Sequence, residues 1–391
     1  MSLASEIPQA RSANPLVRRL RPYTTTIFAE MSALATATGS INLGQGFPDT
    51  DGPASLLAGA RQAIADGVNQ YPPGPGIPAL REAIAAARLR DHNQRFDPDT
   101  EVLVTVGATE ALAAAVLGLC EPGDEVLMLE PHYDSYPPIV AMAGGTHRSI
   151  PLRPDPTGRF ALDVDELAAA VGPRTRILIL NTPHNPTGTV LTREELIGVA
   201  GVARDNDLIV LTDEVYEYLV YDDAVHLPLG TLEGMAERTV TISSAGKTFS
   251  VTGWKIGWVC AAPPLLAAVR TVKQFLTYVN GAPFQPAVAG ALASIPAGIA
   301  AQLELQRDVL CDGLEQLGFD VVRPEATYFA TVDVGRDAVE FCRELPGRVG
   351  VVAIPSSVFY DSSAGDHLVR FAFCKRPEVL NEAITRLKGI L

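Results

Sequence analysis

The sequence predicts an α/β fold built on a mostly parallel sheet that helices cover on both faces. Continuous runs of Val, Ile and Leu alternate with helical segments along the chain, which is typical of strands buried on both faces. Polar residues directly follow several of these runs, and sites in such sheets lie beyond the carboxyl ends of the strands. The length of 391 residues favours one large domain plus a smaller one.

The composition narrows the classes of function. The net charge of -14 argues against nucleic acid or an anionic membrane as a main partner. No apolar run reaches the length of a transmembrane helix, and the first residues lack a signal-peptide core. The five cysteines lie far apart and none has zinc-ligand spacing. We therefore expect a cytoplasmic enzyme with reduced thiols and no metal.

The N-terminal segment carries one glycine-rich turn of interest. Residues 1–20 show no clear period and are expected to form a loose arm, and residues 23–38 look helical. The strand that begins at residue 41 leads into a turn that contains Gly44. Its backbone N–H groups could meet a carboxylate or simply make a bend, and the sequence leaves both open.

Two features lie before residue 120, and the second of them is a candidate for phosphate binding. Segment 70–78 is a stiff loop, rich in Pro and Gly, that presents Tyr71. Strand 101–106 leads into Ala108 and Thr109 at the start of an apolar helix. A helix N-terminus after a tight turn can bind phosphate, although every parallel α/β protein contains several such turns.

Three further strands are followed by polar residues. Strand 124–130 precedes Tyr133, strand 176–181 precedes Asn185, and strand 207–212 precedes Asp213 and Tyr216. Asp213 could cap a helix, but a carboxylate after an apolar strand needs a partner when buried. Asn185, between prolines, could be an ordinary turn residue. His132 and His184 are more typical of supporting or surface residues than of catalytic ones.

Segment 243–258 is the most informative stretch of the chain. It follows the β-branched strand 239–242 and places Lys247 in a turn of small residues, with Ser244 before it and Lys255 eight positions on. Apolar surroundings lower the pKa of a lysine from about 10.4. Such an amine can form a Schiff base with a carbonyl cofactor. The alternative is a lysine that reaches solvent at a domain boundary.

The C-terminal part is predicted to form a second α/β unit. A helix at 265–278, a loop at 279–284 and a long helical stretch at 285–317 precede strands near 319–323, 327–333, 349–354 and 367–373. Arg370 lies in the last strand and points either to solvent or into the site. Pointing inward, its guanidinium would bind a substrate carboxylate in bidentate fashion.

The residues that carry a resemblance are Gly44, Tyr71, Gly107, Ala108, Thr109, Tyr133, Asn185, Pro186, Thr187, Gly188, Asp213, Tyr216, Ser244, Lys247, Lys255 and Arg370. In order and spacing, residues 20–391 resemble class I pyridoxal-phosphate aminotransferases of fold type I. The chain is most similar to the kynurenine, glutamine and methionine aminotransferase branch, and within it to actinobacterial N-succinyldiaminopimelate aminotransferases. The resemblance implies an arm (1–20), a large cofactor-binding domain (45–280) with a mostly parallel seven-stranded sheet between helices, and a smaller α/β domain from both termini (21–44 and 281–391).

The resemblance also implies the catalytic roles. Lys247 would hold pyridoxal 5'-phosphate as a Schiff base and then move the substrate proton. Asp213 would pair with the protonated pyridine nitrogen, which keeps the ring an electron sink. Tyr216 and Asn185 would bond the phenolic oxygen, and Tyr133 would stack on the ring.

The remaining contacts follow from the same resemblance. The phosphate would be bound by Ala108, Thr109, Ser244, Lys255 and, from a second subunit, Tyr71. The substrate carboxylate would be bound by Arg370, Asn185 and the Gly44 backbone. A site that borrows a residue from a partner implies a homodimer with two shared active sites.

The implied reaction moves the amino group of an L-amino acid to a 2-oxo acid, with 2-oxoglutarate expected, by a ping-pong mechanism. The resemblance makes N-succinyl-LL-diaminopimelate the expected donor. Loop 278–281 lacks the arginine expected of an aspartate-specific enzyme, which argues against aspartate. Kynurenine, methionine and glutamine remain open as donors. A cysteine-conjugate β-lyase shares the fold and cofactor. A non-catalytic binding protein is disfavoured because Lys247 is present.

Overall fold

The computed structural model describes residues 14–24, 27–296 and 298–390. Its strands are β1 (Ile41–Asn42), β2 (Val102–Val106), β3 (Glu125–Glu130), β4 (Thr146–Pro154), β5 (Phe160–Leu162), β6 (Thr175–Asn181), β7 (Ile209–Asp213), β8 (Thr239–Ser244), β9 (Ile256–Ala261), β10 (Asp320–Val322), β11 (Phe329–Asp333), β12 (Val351–Val352), β13 (Ile354–Pro355) and β14 (Leu368–Ala372). Its α-helices are α1 (Ile27–Thr38), α2 (Ala54–Ala65), α3 (Pro78–His92), α4 (Gly107–Leu119), α5 (Tyr136–Ala143), α6 (Val164–Ala170), α7 (Arg193–Asp205), α8 (Ala245–Thr248), α9 (Pro263–Leu276), α10 (Phe284–Leu292), α11 (Gly298–Gln316), α12 (Ala338–Val349) and α13 (Pro377–Leu387). Short 3-10 helices lie at Arg18–Tyr23, Leu229–Thr231, Thr252–Trp254, Ser356–Phe359 and Ser363–Gly365.

The large sheet has the strand order β2-β9-β8-β7-β6-β3-β4-β5. Strands β4, β3, β6, β7 and β8 pair in parallel, whereas β9 runs antiparallel to both β8 and β2. The predicted mostly parallel seven-stranded sheet is therefore confirmed, and the three-residue β5 adds a short antiparallel eighth strand at one edge.

Both faces of this sheet are buried, as continuous apolar strands require. Neighbouring residues of β3 illustrate the arrangement, because Val126 packs into one apolar cluster with α4, α5 and α9, whereas Leu127 packs into another on the opposite face. A strand that is apolar at every position therefore contributes side chains to both apolar clusters.

The second sheet is antiparallel, with the order β10-β11-β14-β13. Strand β1, near the N-terminus, pairs in parallel with β12. The chain segments before and after the large sheet thus come together around one apolar cluster. The exact domain boundaries given above remain predictions.

Several local predictions need correction. The helix at 23–38 begins at residue 27, with residues 25 and 26 outside the described ones, and the long stretch at 285–317 is two helices, α10 and α11. Pro296 lies between them and cannot donate the backbone hydrogen bond that a continuous helix needs. The arm at 1–20 falls mostly outside the described residues, and its last residues enter a 3-10 helix. Among the described helices, none has the length and apolar character needed to span a membrane.

Strand β9 was not predicted from the sequence. Its second residue, Gly257, packs directly against the start of α4, where an added Cβ would lie 2.5 Å from the carbonyl carbon of Gly107. Only a residue without a side chain allows this approach. The same close packing brings α4 to the end of β8, next to the predicted lysine.

Candidate active site

A cavity of about 190 Å³ opens at the carboxyl ends of the central strands. Its lining includes the predicted residues Ala108, Thr109, Tyr133, Asn185, Asp213, Tyr216, Ser244, Lys247 and Lys255. A second cavity of about 210 Å³ adjoins it and includes Arg370. The two cavities share Tyr133, Asn185, Tyr216 and Lys247. The fold therefore brings these residues together around one site.

Lys247 lies on the short helix α8, directly after strand β8. Its Nζ donates a hydrogen bond to the hydroxyl of Tyr328 at 2.7 Å, and that hydroxyl donates to the Gly46 carbonyl at 2.6 Å. Burial lowers the pKa of Lys247 to about 8. A sizeable fraction of this amine is therefore neutral at mildly alkaline pH, which a nucleophile or proton acceptor requires.

Asp213 is the last residue of β7 and is buried. Its Oδ2 accepts a hydrogen bond from the Tyr136 hydroxyl at 2.7 Å, and its Oδ1 faces the Val215 N–H at 3.4 Å. Burial raises the pKa of Asp213 to about 6. Within the described part of the chain, Asp213 forms no ion pair, so this carboxylate has room for a cationic N–H partner from a ligand.

The N-terminus of α4 forms an anion-binding turn with Lys255 and Ser244. Gly107 has a φ of +68°, and a Cβ added to it would lie 3.3 Å from Lys255 Nζ, so the ammonium sits directly over the turn. Ala108 and Thr109 follow in the first turn of this 13-residue helix. This place combines backbone N–H groups, a helix dipole and an ammonium, which together form a binding site for phosphate.

Arg370 points inward from β14, which resolves the alternative that the sequence left open. It is 2% exposed, and its Nη1 and Nη2 donate to Asn185 Oδ1 at 3.0 Å and to the Gly44 carbonyl at 3.2 Å. Its guanidinium lies 3.9 Å from the ring centre of Phe329 and 4.7 Å from that of Phe359.

The charge of Arg370 has no carboxylate partner among the described residues. Its Nε is buried without a hydrogen-bond acceptor, and burial lowers the pKa of Arg370 to about 10. A buried cation of this kind is costly unless a ligand supplies the anion. Gly44 meets it through its carbonyl, since the Gly44 N–H donates to Asn42 Oδ1 at 2.9 Å. The predicted contact of the Gly44 backbone with substrate remains a prediction.

Two predicted site residues, Tyr71 and Gly44, line neither cavity, and only Gly44 contacts a residue that does, namely Arg370. Tyr71 lies on the surface. Its side chain is 82% exposed and packs edge-on against Tyr278, with ring centres 5.8 Å apart. Its contact with the phosphate of a second subunit remains a prediction.

Two tyrosines of the site were not predicted. Tyr136 belongs to the aromatic run after β3 and could have been noticed there, because its hydroxyl holds Asp213. Tyr328, which holds Lys247, comes from the C-terminal unit, and no local pattern marks it. His184 plays the supporting part expected of it, since it is buried, its Nδ1 lies 2.8 Å from Thr187 Oγ1, and burial lowers its pKa to about 3.

The chain matches the family described as aminotransferase class I and II over residues 38–387. The protein therefore belongs to the class I and II aminotransferases, a family of pyridoxal-phosphate enzymes, and it is a transaminase. It is 59% identical over 387 residues to a probable N-succinyldiaminopimelate aminotransferase of Mycobacterium tuberculosis, and the match covers 95% of this chain and 97% of that protein.

Two further relatives support the same family. The methionine aminotransferase of Escherichia coli is 40% identical over 386 residues, covering 96% of this chain and 99% of that protein. The solved structure of N-succinyldiaminopimelate aminotransferase from Mycobacterium tuberculosis matches this structure with a TM-score of 0.94 and 58% sequence identity. The match covers 96% of this chain and 100% of that chain. The predicted fold and family are thereby confirmed.

Proposed function

We propose that this aminotransferase binds pyridoxal 5'-phosphate in the first cavity and moves the amino group of N-succinyl-LL-diaminopimelate to 2-oxoglutarate. One observation carries the cofactor assignment: a single cavity collects a lysine amine, a buried unpaired carboxylate and an anion-binding helix N-terminus. These groups match the aldehyde, the ring nitrogen and the phosphate of the cofactor. When bound, pyridoxal phosphate supplies a protonated ring that withdraws electrons from the substrate Cα.

Lys247 is the residue that holds the cofactor and moves the proton. Lys247 would hold the cofactor at its aldehyde group, and the Lys247 Nζ is the amine that would accept the proton from the substrate Cα. The Tyr328 hydroxyl fixes the position of this amine at 2.7 Å. The lowered pKa of Lys247, about 8, keeps part of the amine unprotonated for this task.

Asp213 and Arg370 orient the reacting groups. Asp213 would hold the protonated ring nitrogen of the cofactor, while the Tyr136 hydroxyl keeps the carboxylate in place through Oδ2. Arg370 would bind the substrate α-carboxylate, which supplies the missing counter-charge. The rings of Phe329 and Phe359 beside the guanidinium exclude water and strengthen that ion pair.

The donor assignment is supported by the 59% identity to the probable N-succinyldiaminopimelate aminotransferase. A direct test compares kcat/KM for N-succinyl-LL-diaminopimelate, methionine, kynurenine, glutamine and aspartate, each with 2-oxoglutarate. We expect the succinylated donor to give the highest value. A higher value for methionine or kynurenine would overturn the donor and leave the class of reaction intact, and pyruvate released from a β-substituted cysteine faster than any transamination would favour the β-lyase.

The homodimer belongs to the same proposal. Tyr71, Phe275, Leu276 and Tyr278 are exposed hydrophobic residues, with Phe275 at 83%, and Tyr71 packs directly on Tyr278. An apolar surface of this kind is typical of an interface. We infer that a second copy covers it and that Tyr71 reaches the phosphate of that copy.

Subunit mixing tests this inference. Tyr71→Ala subunits are combined with inactive Lys247→Ala subunits under conditions of exchange. One site of the mixed dimer then has intact Lys247 and Arg370 from one chain and intact Tyr71 from the other, so activity should rise above that of either parent. No rise would place Tyr71 in the site of its own chain or outside both sites.

A further inference from the structure

Three residues from distant parts of the sequence meet beside the active site. His132 follows β3, His147 lies on β4, and Asp361 follows the 3-10 helix Ser356–Phe359. Within the described part of the chain, each offers one ligand atom, and these atoms lie within 4.8 Å of one another. His147 Nε2 is 3.1 Å from Asp361 Oδ2, and His132 Nε2 is 3.6 Å from Asp361 Oδ1.

The imidazole of His132 is left without a hydrogen bond. Its side chain is 6% exposed, and neither ring nitrogen has a hydrogen-bond partner among the described residues. The 3.6 Å separation from Asp361 is too long for a hydrogen bond. A buried polar group without a partner is costly, so this imidazole is available to bind a ligand. Its backbone N–H donates to the Phe359 carbonyl at 2.8 Å, which fixes the segment.

The carboxylate of Asp361 is held in place by its neighbours. Glu130 accepts hydrogen bonds from the backbone N–H groups of Asp361 and Ser362, the latter at 2.8 Å, and so anchors the loop. His147 and Ser149 lie two positions apart on β4, so both face the same side and reach Asp361 Oδ2.

We propose that His132, His147 and Asp361 bind a divalent first-row transition cation, for which Zn²⁺ is the probe. Two imidazole nitrogens and one carboxylate oxygen are a ligand set that zinc takes, with water completing the tetrahedron. The imidazoles disfavour Mg²⁺ and Ca²⁺, which prefer oxygen. The side chains of His147 and Asp361 are 24% and 46% exposed, so the cation can enter from solvent.

The geometry requires only small movements. Zinc–ligand distances of about 2.0–2.1 Å place tetrahedral ligand atoms about 3.4 Å apart. The separations of 3.1 and 3.6 Å from the two imidazoles to Asp361 are close to this value but run to different carboxylate oxygens, so the Asp361 carboxylate must rotate to bring one oxygen to both nitrogens. The three ligand atoms already lie within 4.8 Å of one another. The sequence-based expectation of no metal rested on cysteine spacing, which cannot reveal ligands at positions 132, 147 and 361.

A bound cation would join two parts of the molecule. His132 and His147 belong to the large sheet, whereas Asp361 follows the 3-10 helix that places Phe359 against Arg370. The cation would therefore stabilise the packing around the Arg370 guanidinium without touching the reacting atoms.

The experiment titrates Zn²⁺ into the cofactor-loaded enzyme after removal of metal with a chelator, followed by calorimetry and thermal unfolding. We expect one Zn²⁺ per chain and a rise in Tm. His147→Asn and Asp361→Asn should weaken binding by at least about tenfold, the smallest effect usual for groups that support a metal. The exposed His367, outside the cluster, provides the matched control, and His367→Asn should bind like the wild type.

Two results would overturn the proposal. One is the absence of Zn²⁺ binding to the wild type. The other is equal binding by His147→Asn and the wild type, which would place the ion on the cofactor or elsewhere. Asp361→Asn keeps the backbone bonds to Glu130, and the Tm of each variant without metal separates loss of the site from loss of the fold. Visible absorption of bound Co²⁺, present in the wild type and lost in His147→Asn, gives an independent measurement.

Discussion

Strands β7 and β8 present two different electrostatic environments at their carboxyl ends. Asp213 and Ser244 line the cavity, whereas their neighbours Glu214 and Ser243 face a buried ionic cluster behind it. The cluster is centred on Arg88. Consecutive residues of a strand point to opposite faces, so one residue step separates the two environments.

In the ionic cluster, the Arg88 guanidinium is paired with two carboxylates. Arg88 Nη2 lies 2.8 Å from Glu214 Oε2, and Nη1 contacts Glu217. His226 Nε2 adds a contact of 3.2 Å to Glu214. Burial alone would raise the pKa of Glu214, but the Arg88 guanidinium and His226 together outweigh it and lower the pKa to about 2. The same cluster raises the pKa of Arg88 despite its burial.

The cavity has buried charges without partners. Burial raises the pKa of Asp213 to about 6 and lowers that of Arg370 to about 10, shifts opposite in sign to those of Glu214 and Arg88. Equal burial therefore leads to opposite pKa shifts, depending on whether the fold supplies a counter-charge. In this fold, paired buried charges are satisfied by the protein itself, whereas unpaired ones mark where a ligand would supply the partner.

The largest effect is expected at Lys247. Lys247→Ala should lower transamination by more than about 10⁴-fold, because general base catalysis alone can reach that factor and the attachment of the cofactor is lost as well. The fold should persist, since a buried ammonium is removed. Activity with the expected donor and thermal unfolding are measured together. Normal turnover by this variant would show that the active site does not lie in this cavity.

Next in size is the contrast between the two buried arginines. Arg88→Met leaves Glu214 and Glu217 buried without their partner and should lower the free energy of unfolding by about 3–5 kcal/mol. Arg370→Met removes an unpaired charge, so the free energy of unfolding should stay equal or rise. Its KM should rise at least tens-fold, since a buried charge pair with substrate is worth about 2–5 kcal/mol.

Denaturant unfolding and steady-state kinetics of both variants check this contrast. A stability loss confined to Arg370→Met, or an unchanged KM for every good donor, would contradict it. The second outcome would mean that another residue binds the substrate carboxylate.

The smallest effect is expected at Asp213, in the way the free energy of unfolding of the cofactor-free protein depends on pH. The folded pKa of Asp213, about 6, lies above its unfolded value, so the folded state keeps its proton longer and loses stability as pH rises through 6. Asp213→Asn removes this loss. Its stability relative to the wild type should therefore increase by about 1–2 kcal/mol between pH 5 and pH 8.

Glu214→Gln is the matched control for the pH experiment. The folded pKa of Glu214, about 2, lies below its unfolded value, so its contribution is lost only as pH falls below about 4.5. Between pH 5 and pH 8, Glu214→Gln should be destabilised by a constant amount. Urea unfolding at both pH values measures both variants, and identical pH profiles for the two would contradict the distinction between the environments.

Much of the site followed from local patterns. Asp213, Asn185, Tyr133 and the turn of Lys247 come directly after apolar strands, and parallel strands bring their carboxyl ends to one edge of the sheet. The residues at 108 and 109 were predicted in the same way, from a strand followed by a helix. Strand β9 was missed because its Gly257 and Trp258 look like a continuation of the preceding turn.

The sequence by itself determined the alternation of strands and helices, and with it the edge of the sheet at which the chemistry lies. Only the tertiary structure decided that Arg370 points inward, that Tyr328 holds Lys247, and that Glu214 is paired whereas Asp213 is not. The physical reason is distance along the chain. Hydrophobic periodicity is a local property, whereas the hydrogen-bond partners of these buried charged groups lie 81 to 185 positions away, at separations that no local pattern records.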